Sequence, residues 1–374
     1  MQKEVLILSS IDWNFQWQSK QIFATHFARA GWKVVFVNST GVKRLSGTAF
    51  KKIISRLIKN KNKMNNPVEE GIDIIGQLIL PPSNSFFMRI NRKIFIPEIV
   101  RKIKKTNIKN PVVISYIPTQ TTLDILDELE YSFLIYHCTD NLEAYPGIVR
   151  NFPETESELI RRSDVVITTS PYLFNKMKSR HPRVHLILPG VEYELFSRAD
   201  SGPFKKLKRI CYFGGIHRSR INLPMVFSVA RENPDIEFIF IGPLRTKVKA
   251  KPDNIKFLPP ININKLPEKL RDCDCIIFPY LENEFTKGII PVKLFQSMAT
   301  GKPIIATGIN ENLKNYSDVI YLANSQEEFS HFIRNLSELE SREKYEKRKR
   351  IARENSWEKR FHTFLNVILE SFTF

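Results

Sequence analysis

One pattern constrains this chain more than any other: a short apolar run without polar interruption, a turn, an amphipathic stretch, and a further apolar run. It is plainest in FPYLENEFTKGIIPVKLFQSMATGKPIIAT, residues Phe278 to Thr307. The preceding run CIIFPY (Cys275 to Tyr280) shows no alternation, so it reads as a strand covered on both faces, which is the situation of a parallel sheet. Gly288 frees the backbone of the loop and Pro291 suits the first turn of a helix, where a missing N–H costs nothing. Gly301 stops that helix, and Lys302-Pro303 opens the next strand, Ile304 to Thr307.

On a helical wheel, Val292, Leu294, Phe295, Met298 and Ala299 share one side, and Lys293, Gln296, Ser297 and Thr300 the other. The apolar side must lie on the sheet, so the polar side is expected to look away from it. A helix entered from the C-terminal end of a parallel strand aims its positive end into the crevice where open α/β sheets hold ligands. With Lys293 in the first turn, the local field suits a diphosphate. Tyr280, Gly288, Ile290, Pro291, Val292, Lys293 and Gln296 are therefore candidate donor-binding residues. The competing reading is an ordinary amphipathic helix with Lys293 and Gln296 solvated.

A chain of 374 residues predicts about two domains of ordinary size. No stretch approaches the roughly 18 apolar residues of a membrane span. MQKEVLILSS reads as a first strand rather than a secretion signal, which predicts a cytoplasmic protein. Cys138, Cys211, Cys273 and Cys275 sit in apolar runs with no CxxC pair, and all four are expected to be buried free thiols without a metal.

The formal net charge is +18, and residues 1–110 hold 20 Lys and Arg against 6 Asp and Glu. Such asymmetry predicts a local anionic partner, a membrane or a nucleic acid. Segments 47–63 and 85–105 interleave basic residues with aliphatic and aromatic ones, as an amphipathic helix in an anionic headgroup layer does. The same segments read otherwise as core-packed helices with a charged outer side. Few exposed aromatics accompany the charge, which argues against nucleic acid.

In chain order, Glu4 to Ser9, Lys33 to Asn38, Pro111 to Tyr116, Ser132 to His137 and Asp164 to Ser170 read as strands alternating with helices. The turn after the first strand, SSIDWNFQWQSKQ, has no glycine, so a dinucleotide fingerprint is absent. Asp12, Trp13, Trp17 and Gln21 lie there, where an acceptor sugar could meet a carboxylate and aromatic faces. Helix capping by Asp12 and core packing of the tryptophans compete with that reading. His137 and Asp140 close a later strand at the same edge, and a carboxylate in reach of an acceptor hydroxyl can take its proton. Asp140 reads equally as a turn residue. Ser197 to Lys208 is polar with a Gly-Pro pair and is the expected linker. The alternation then resumes: Arg209 to Phe213 ends in Gly214 and Gly215, which permit close backbone approach, and His217, Arg218 and Arg220 follow as candidate phosphate ligands. Two doubly wound α/β domains are predicted, 1–196 and 209–355, facing across a cleft.

The runs YFGGIHRSR, FIFIGP, NIKFLPP, DCDCIIFPY, PVKLFQSMATGKPIIAT and SWEKRF resemble nucleotide-sugar glycosyltransferases of the GT-B architecture over nearly the whole chain. YHCTD, followed by an E-x-E-L-I helix and DVVITTS, is similar to bacterial exopolysaccharide transferases of the teichuronic-acid type. Lys293-x-x-Gln296 resembles the xanthan-type glucuronosyltransferase, in which a lysine and a glutamine at that spacing hold the donor's diphosphate and ribose. The resemblance implies a UDP-sugar donor on the C-terminal domain, a glycan or lipid-linked acceptor on the N-terminal one, no metal or other cofactor, and a protein peripheral to the inner face of the cytoplasmic membrane. It also implies that a final helix within 356–374 braces the first domain. The family's retaining branch carries two glutamates at the positions of Gly288 and Gln296; their replacement favours inversion, with Asp140 as first and Asp12 as second choice of base. Pro189 in PGVEYELF replaces the family's asparagine, so Glu192 lacks its usual context. A nucleotide-sugar epimerase of the same architecture and a basic nucleic-acid-binding protein are the alternatives.

Overall fold

Apolar runs become the centre of two parallel sheets. The computed structural model describes residues 3–15, 17–39, 66–76, 79–82, 84–145, 147–248, 250–288, 292–308 and 311–372; the basic segment 47–63 lies outside them. The chain divides into two units, residues 1–187 with 364–374, and residues 188–363.

In the first unit, β1 (Glu4–Leu8), β2 (Lys33–Val37), β3 (Ile72–Ile75), β4 (Val112–Ser115), β5 (Phe133–Cys138), β6 (Val165–Thr168) and β7 (Val184–Leu186) form a parallel sheet in the order β3-β2-β1-β4-β5-β6-β7. Leu6 lies level with Val35 and Val113, and all three are fully buried. Burying each such side chain contributes about 1.5–3 kcal/mol, which is why these runs cannot remain at a surface. Strand β3 was not expected from the sequence. Its four residues include Asp73 on an exposed position, so it lacks the unbroken apolar signature.

The second unit repeats the plan with β8 (Arg209–Phe213), β9 (Glu237–Ile241), β10 (Ile255–Leu258), β11 (Cys275–Phe278), β12 (Ile304–Thr307) and β13 (Tyr321–Ala323), all parallel, in the order β10-β9-β8-β11-β12-β13. Strand order reverses between β1 and β4 in one sheet and between β8 and β11 in the other. A crevice opens at the C-terminal ends of such a pair.

Three expectations need correction. The boundary falls at Ile187/Leu188, and the presumed linker belongs to the second unit: Phe196 and Ala199 are buried in its core, and Asp200 accepts hydrogen bonds from Tyr345 Oη (2.7 Å) and Lys349 Nζ (2.6 Å). Cys211 and Cys273 form a disulfide, leaving Cys138 and Cys275 free and buried. The adjacency of β8 and β11 brings the pair together, with 6.0 Å between Cα atoms. Segment 85–105 is split: helix Ser85–Ile90 and a π-turn at Asn91–Phe95 precede helix Ile96–Lys105, whose Ile96, Ile99, Val100 and Ile103 face the core. The apolar face of the latter is thus already used.

The chain's path into the second unit is tied to its path out. Val191 donates to Asn355 O (3.0 Å) and accepts from Trp357 N (3.3 Å). A Cβ on Gly190 would lie 2.7 Å from Trp357 Cα, so only glycine permits this approach. Helix Trp357–Ser371 then carries Phe364 into the first unit, against Phe23 (4.8 Å between ring centres) and His137 (5.3 Å). Among the described residues, no helix is long and apolar enough to cross a membrane.

Candidate donor site

Strand β8 ends at Phe213, and the chain turns at Gly214 with φ +122°, a conformation that side chains disfavour. The space a Cβ would fill is occupied by Lys293, whose Nζ would lie 2.0 Å from it. Lys293 Nζ donates to the Tyr212 hydroxyl (3.2 Å) and lies 4.8 Å from the Tyr212 ring centre. Tyr212 in turn donates to Gly215 O (3.0 Å). Burial, aided by the charge of Arg220, holds the Lys293 ammonium at about 7. Among the described residues no carboxylate pairs with it. A half-buried cation held by one phenol and one ring face lacks the counter-charge that normally offsets its desolvation.

The loops after β8 and β11 are knit into one wall. Leu281 donates to Arg220 O (2.8 Å), Asn222 to Pro279 O (2.8 Å), and Asn283 Nδ2 to Ser219 O (3.0 Å). The Arg220 guanidinium stacks over Phe285 at 4.6 Å, and His217 Nδ1 meets Ser219 Oγ at 2.7 Å. Beside this wall an open hollow of about 730 Å³ is lined by His217, Arg218, Arg245, Thr246 and Lys247. The loop after β9 supplies the last three, which the sequence reading did not single out. Among the described residues no group of three or more His, Cys, Asp or Glu side chains is placed to hold a metal ion.

Several expected residues take other roles. The helix around Lys293 spans Val292–Ala299, and its polar side does not face solvent: Gln296 is 8% exposed and Ser297 and Thr300 are fully buried, because helices Tyr193–Phe196 and Arg342–Glu354 pack on it. Gln296 lies near Glu192, whose carboxyl burial pushes above its usual range although the polar groups of Gln296 and Trp357 act the other way. Gly288 has φ −75°, which any residue adopts, so it is not needed to free the loop. Tyr280 is 7% exposed and stacked on Phe278. Ile290 and Pro291 lie outside the described residues.

In the first unit, Trp13 packs edge-on against Phe36 (5.0 Å) with 1% exposure, and Gln21 accepts from Gln18 N and donates to Trp13 O (both 3.1 Å). Both residues fix the turn after β1 rather than line an open surface. Asp12 does not cap the helix, which starts at Ser19 with Gln18 as its cap; Asp12 is exposed and Trp17 half-buried. His137 is enclosed by Phe23, Tyr116 and Phe364, and its value of about 3, caused by burial and then by Lys20, keeps it neutral. It is a core residue, not a surface ligand. Asp140 is half-buried and accepts from Thr139 Oγ1 (3.4 Å). Lys20 and Tyr116 went unnoticed in the sequence, although a lysine in the first turn of the helix after a buried strand was a visible signal.

Residues 208–339 match the family described as Glycosyl transferases group 1. TuaH of Bacillus subtilis (strain 168), which bears the name of a teichuronic acid biosynthesis glycosyltransferase, is 27% identical over 214 residues, covering 50% of this chain and 53% of its own. The chain thus spans about half the length of that curated relative. Among solved structures, sucrose-phosphate synthase from Thermosynechococcus elongatus superposes with a TM-score of 0.68 at 14% identity over 99% of each chain. Anabaena HepE in complex with UDP and glucose gives 0.64 at 12% over 100% of each, and the lipopolysaccharide glycosyltransferase WaaG 0.64 at 10% over 97% and 99%. Residues 208–339 thus match the group 1 glycosyl transferase family, on a chain with the two-sheet GT-B fold.

Proposed function

We propose that this protein transfers a sugar from a nucleoside diphosphate sugar, UDP-linked, to a glycan or lipid-linked acceptor in bacterial surface polysaccharide synthesis. The observation that carries the reading is the uncompensated Lys293 ammonium beside Gly214 and Gly215 at the switch point of the second sheet. A diphosphate there supplies the missing counter-charge, accepts from the backbone N–H of Gly215, that of Gly214 being taken by Ile241 O (2.7 Å), and meets Arg218 from the adjoining hollow. The basic side chains offset leaving-group charge without a metal. Asp140 takes the acceptor proton as the hydroxyl attacks the anomeric carbon, inverting it; Asp12 is the second choice. The relative named for teichuronic acid synthesis and the neighbour holding UDP and glucose support donor and pathway class alike.

Attachment to an anionic membrane rests on segment 85–95 within this proposal. Phe86 and Ile94 are 66% and 60% exposed on the stretch that also carries Arg89, Arg92 and Lys93. Apolar contacts with neighbouring basic groups match a headgroup layer.

The test is a thermal-shift panel of UDP, GDP, ADP and their sugars on the purified protein, repeated with Lys293→Ala. A shift with UDP that the substitution reduces is expected; equal shifts in both proteins would refute the donor site.

A further inference from the structure

The switch point of the first sheet carries a counterpart of the Lys293–Tyr212 pair. Lys20, in the first turn of helix Ser19–Arg29, is 5% exposed, and its ammonium lies 5.4 Å from the centre of the ring of Tyr116, which follows β4. Among the described residues its ammonium hydrogen-bonds to Thr139 Oγ1, at 3.4 Å. No carboxylate forms an ion pair with it among the described residues; Asp140 acts on it only through space, and burial pushes its ammonium below the usual range. Tyr116 is 1% exposed, and its hydroxyl has no hydrogen-bond partner among the described residues. At this strand end the charged donor thus has a single long hydrogen bond and the neutral one none among the described residues. Both states are costly unless a ligand completes them.

We propose that Lys20 and the Tyr116 hydroxyl form an oxyanion-binding site that recognises a carboxylate or phosphate group on the sugar acceptor. One donor is charged and the other neutral, and an anionic oxygen accepts from both kinds. Thr139 and Asp140, half-buried beside Lys20, place the same strand end within the acceptor's reach. The term acceptor rests on the transferase reading above; the anion site does not.

Calorimetric titration of the full-length protein, saturated with UDP to occupy the second unit, compares glucose, glucuronate and glucose 1-phosphate. At least one anion should bind about tenfold more tightly than glucose, and which one identifies the group. Lys20→Met should remove the preference and Lys20→Arg retain part of it, while the thermal shift with UDP is unchanged in both. Tyr116→Phe should weaken anion binding without altering charge, and it decides the matter if Lys20→Met does not fold. A wild-type protein indifferent to the anions, or a folded Lys20→Met protein that still prefers them, overturns the proposal. If UDP itself does not bind, Lys293→Met in its place permits the same comparison, so the donor reading fails separately.

Discussion

The Lys293 ammonium sits 4.8 Å from the centre of the Tyr212 ring and 3.2 Å from its hydroxyl, with no carboxylate paired to it among the described residues. Cation and ring are an incomplete pair in electrostatic terms. Lys293→Met should weaken UDP binding by about 1.5–3 kcal/mol, the worth of a charged hydrogen bond, and shrink the thermal shift accordingly. The same variant should melt no lower than wild type without ligand, since a poorly solvated charge is gone. A ligand-free protein that melts well below wild type would show that Lys293 supports the fold instead.

The titration of Lys293 has a sign that can be tested. Its folded value of about 7 lies below the ordinary lysine value of 10.5, so between these pH values the unfolded chain binds more protons. The destabilisation is complete below pH 7, and stability from this group rises with pH until 10.5. Diphosphate binding favours the charged form and takes up a proton. The UDP dissociation constant should therefore increase from pH 7 to pH 9, by at most about tenfold per unit, and be flat over that range in Lys293→Met.

Gly214 and Gly215 differ sharply despite their adjacency. Gly214→Ala places a methyl 2.0 Å from Lys293 Nζ at φ +122° and should cost both donor binding and more than about 1 kcal/mol of stability. Gly215 has open space around its Cβ position, so Gly215→Ala should leave the melting temperature unchanged. If Gly215→Ala nonetheless weakens UDP binding, the ligand approaches that backbone directly.

Asp140→Asn should retain the UDP shift and lower transfer by about 10²–10⁴-fold, the usual contribution of a general base. Asp12→Asn is the comparison. Full activity in Asp140→Asn with loss in Asp12→Asn would move the base to the turn after β1.

The sheets were legible because parallel strands are buried on both faces, and buried runs such as Arg209–Phe213, Cys275–Phe278 and Ile304–Thr307 carry that fact in their composition. What depends on a distant partner was not. Nothing local distinguishes Cys211 and Cys273 from free thiols, since 62 residues separate them and only the order of β8 and β11 joins them. The Val292–Ala299 helix has a polar side, yet helices distant in the chain on either side cover it, so Gln296 meets Glu192 instead of solvent. Gly202-Pro203 marks a true turn, with φ +84° at the glycine, but the flanking Phe196 and Ala199 belong to a core. Trp13 and Gln21 were placed correctly after β1, but their side chains are used up by the turn itself.

The knot of contacts among Gly190, Val191, Asn355 and Trp357 makes the second unit a module with its two chain crossings stitched side by side. A module tied off in that manner can be exchanged for another between the same two points without rethreading the first sheet. On the transferase proposal, donor preference is then free to change by cassette replacement, while the first sheet keeps its setting.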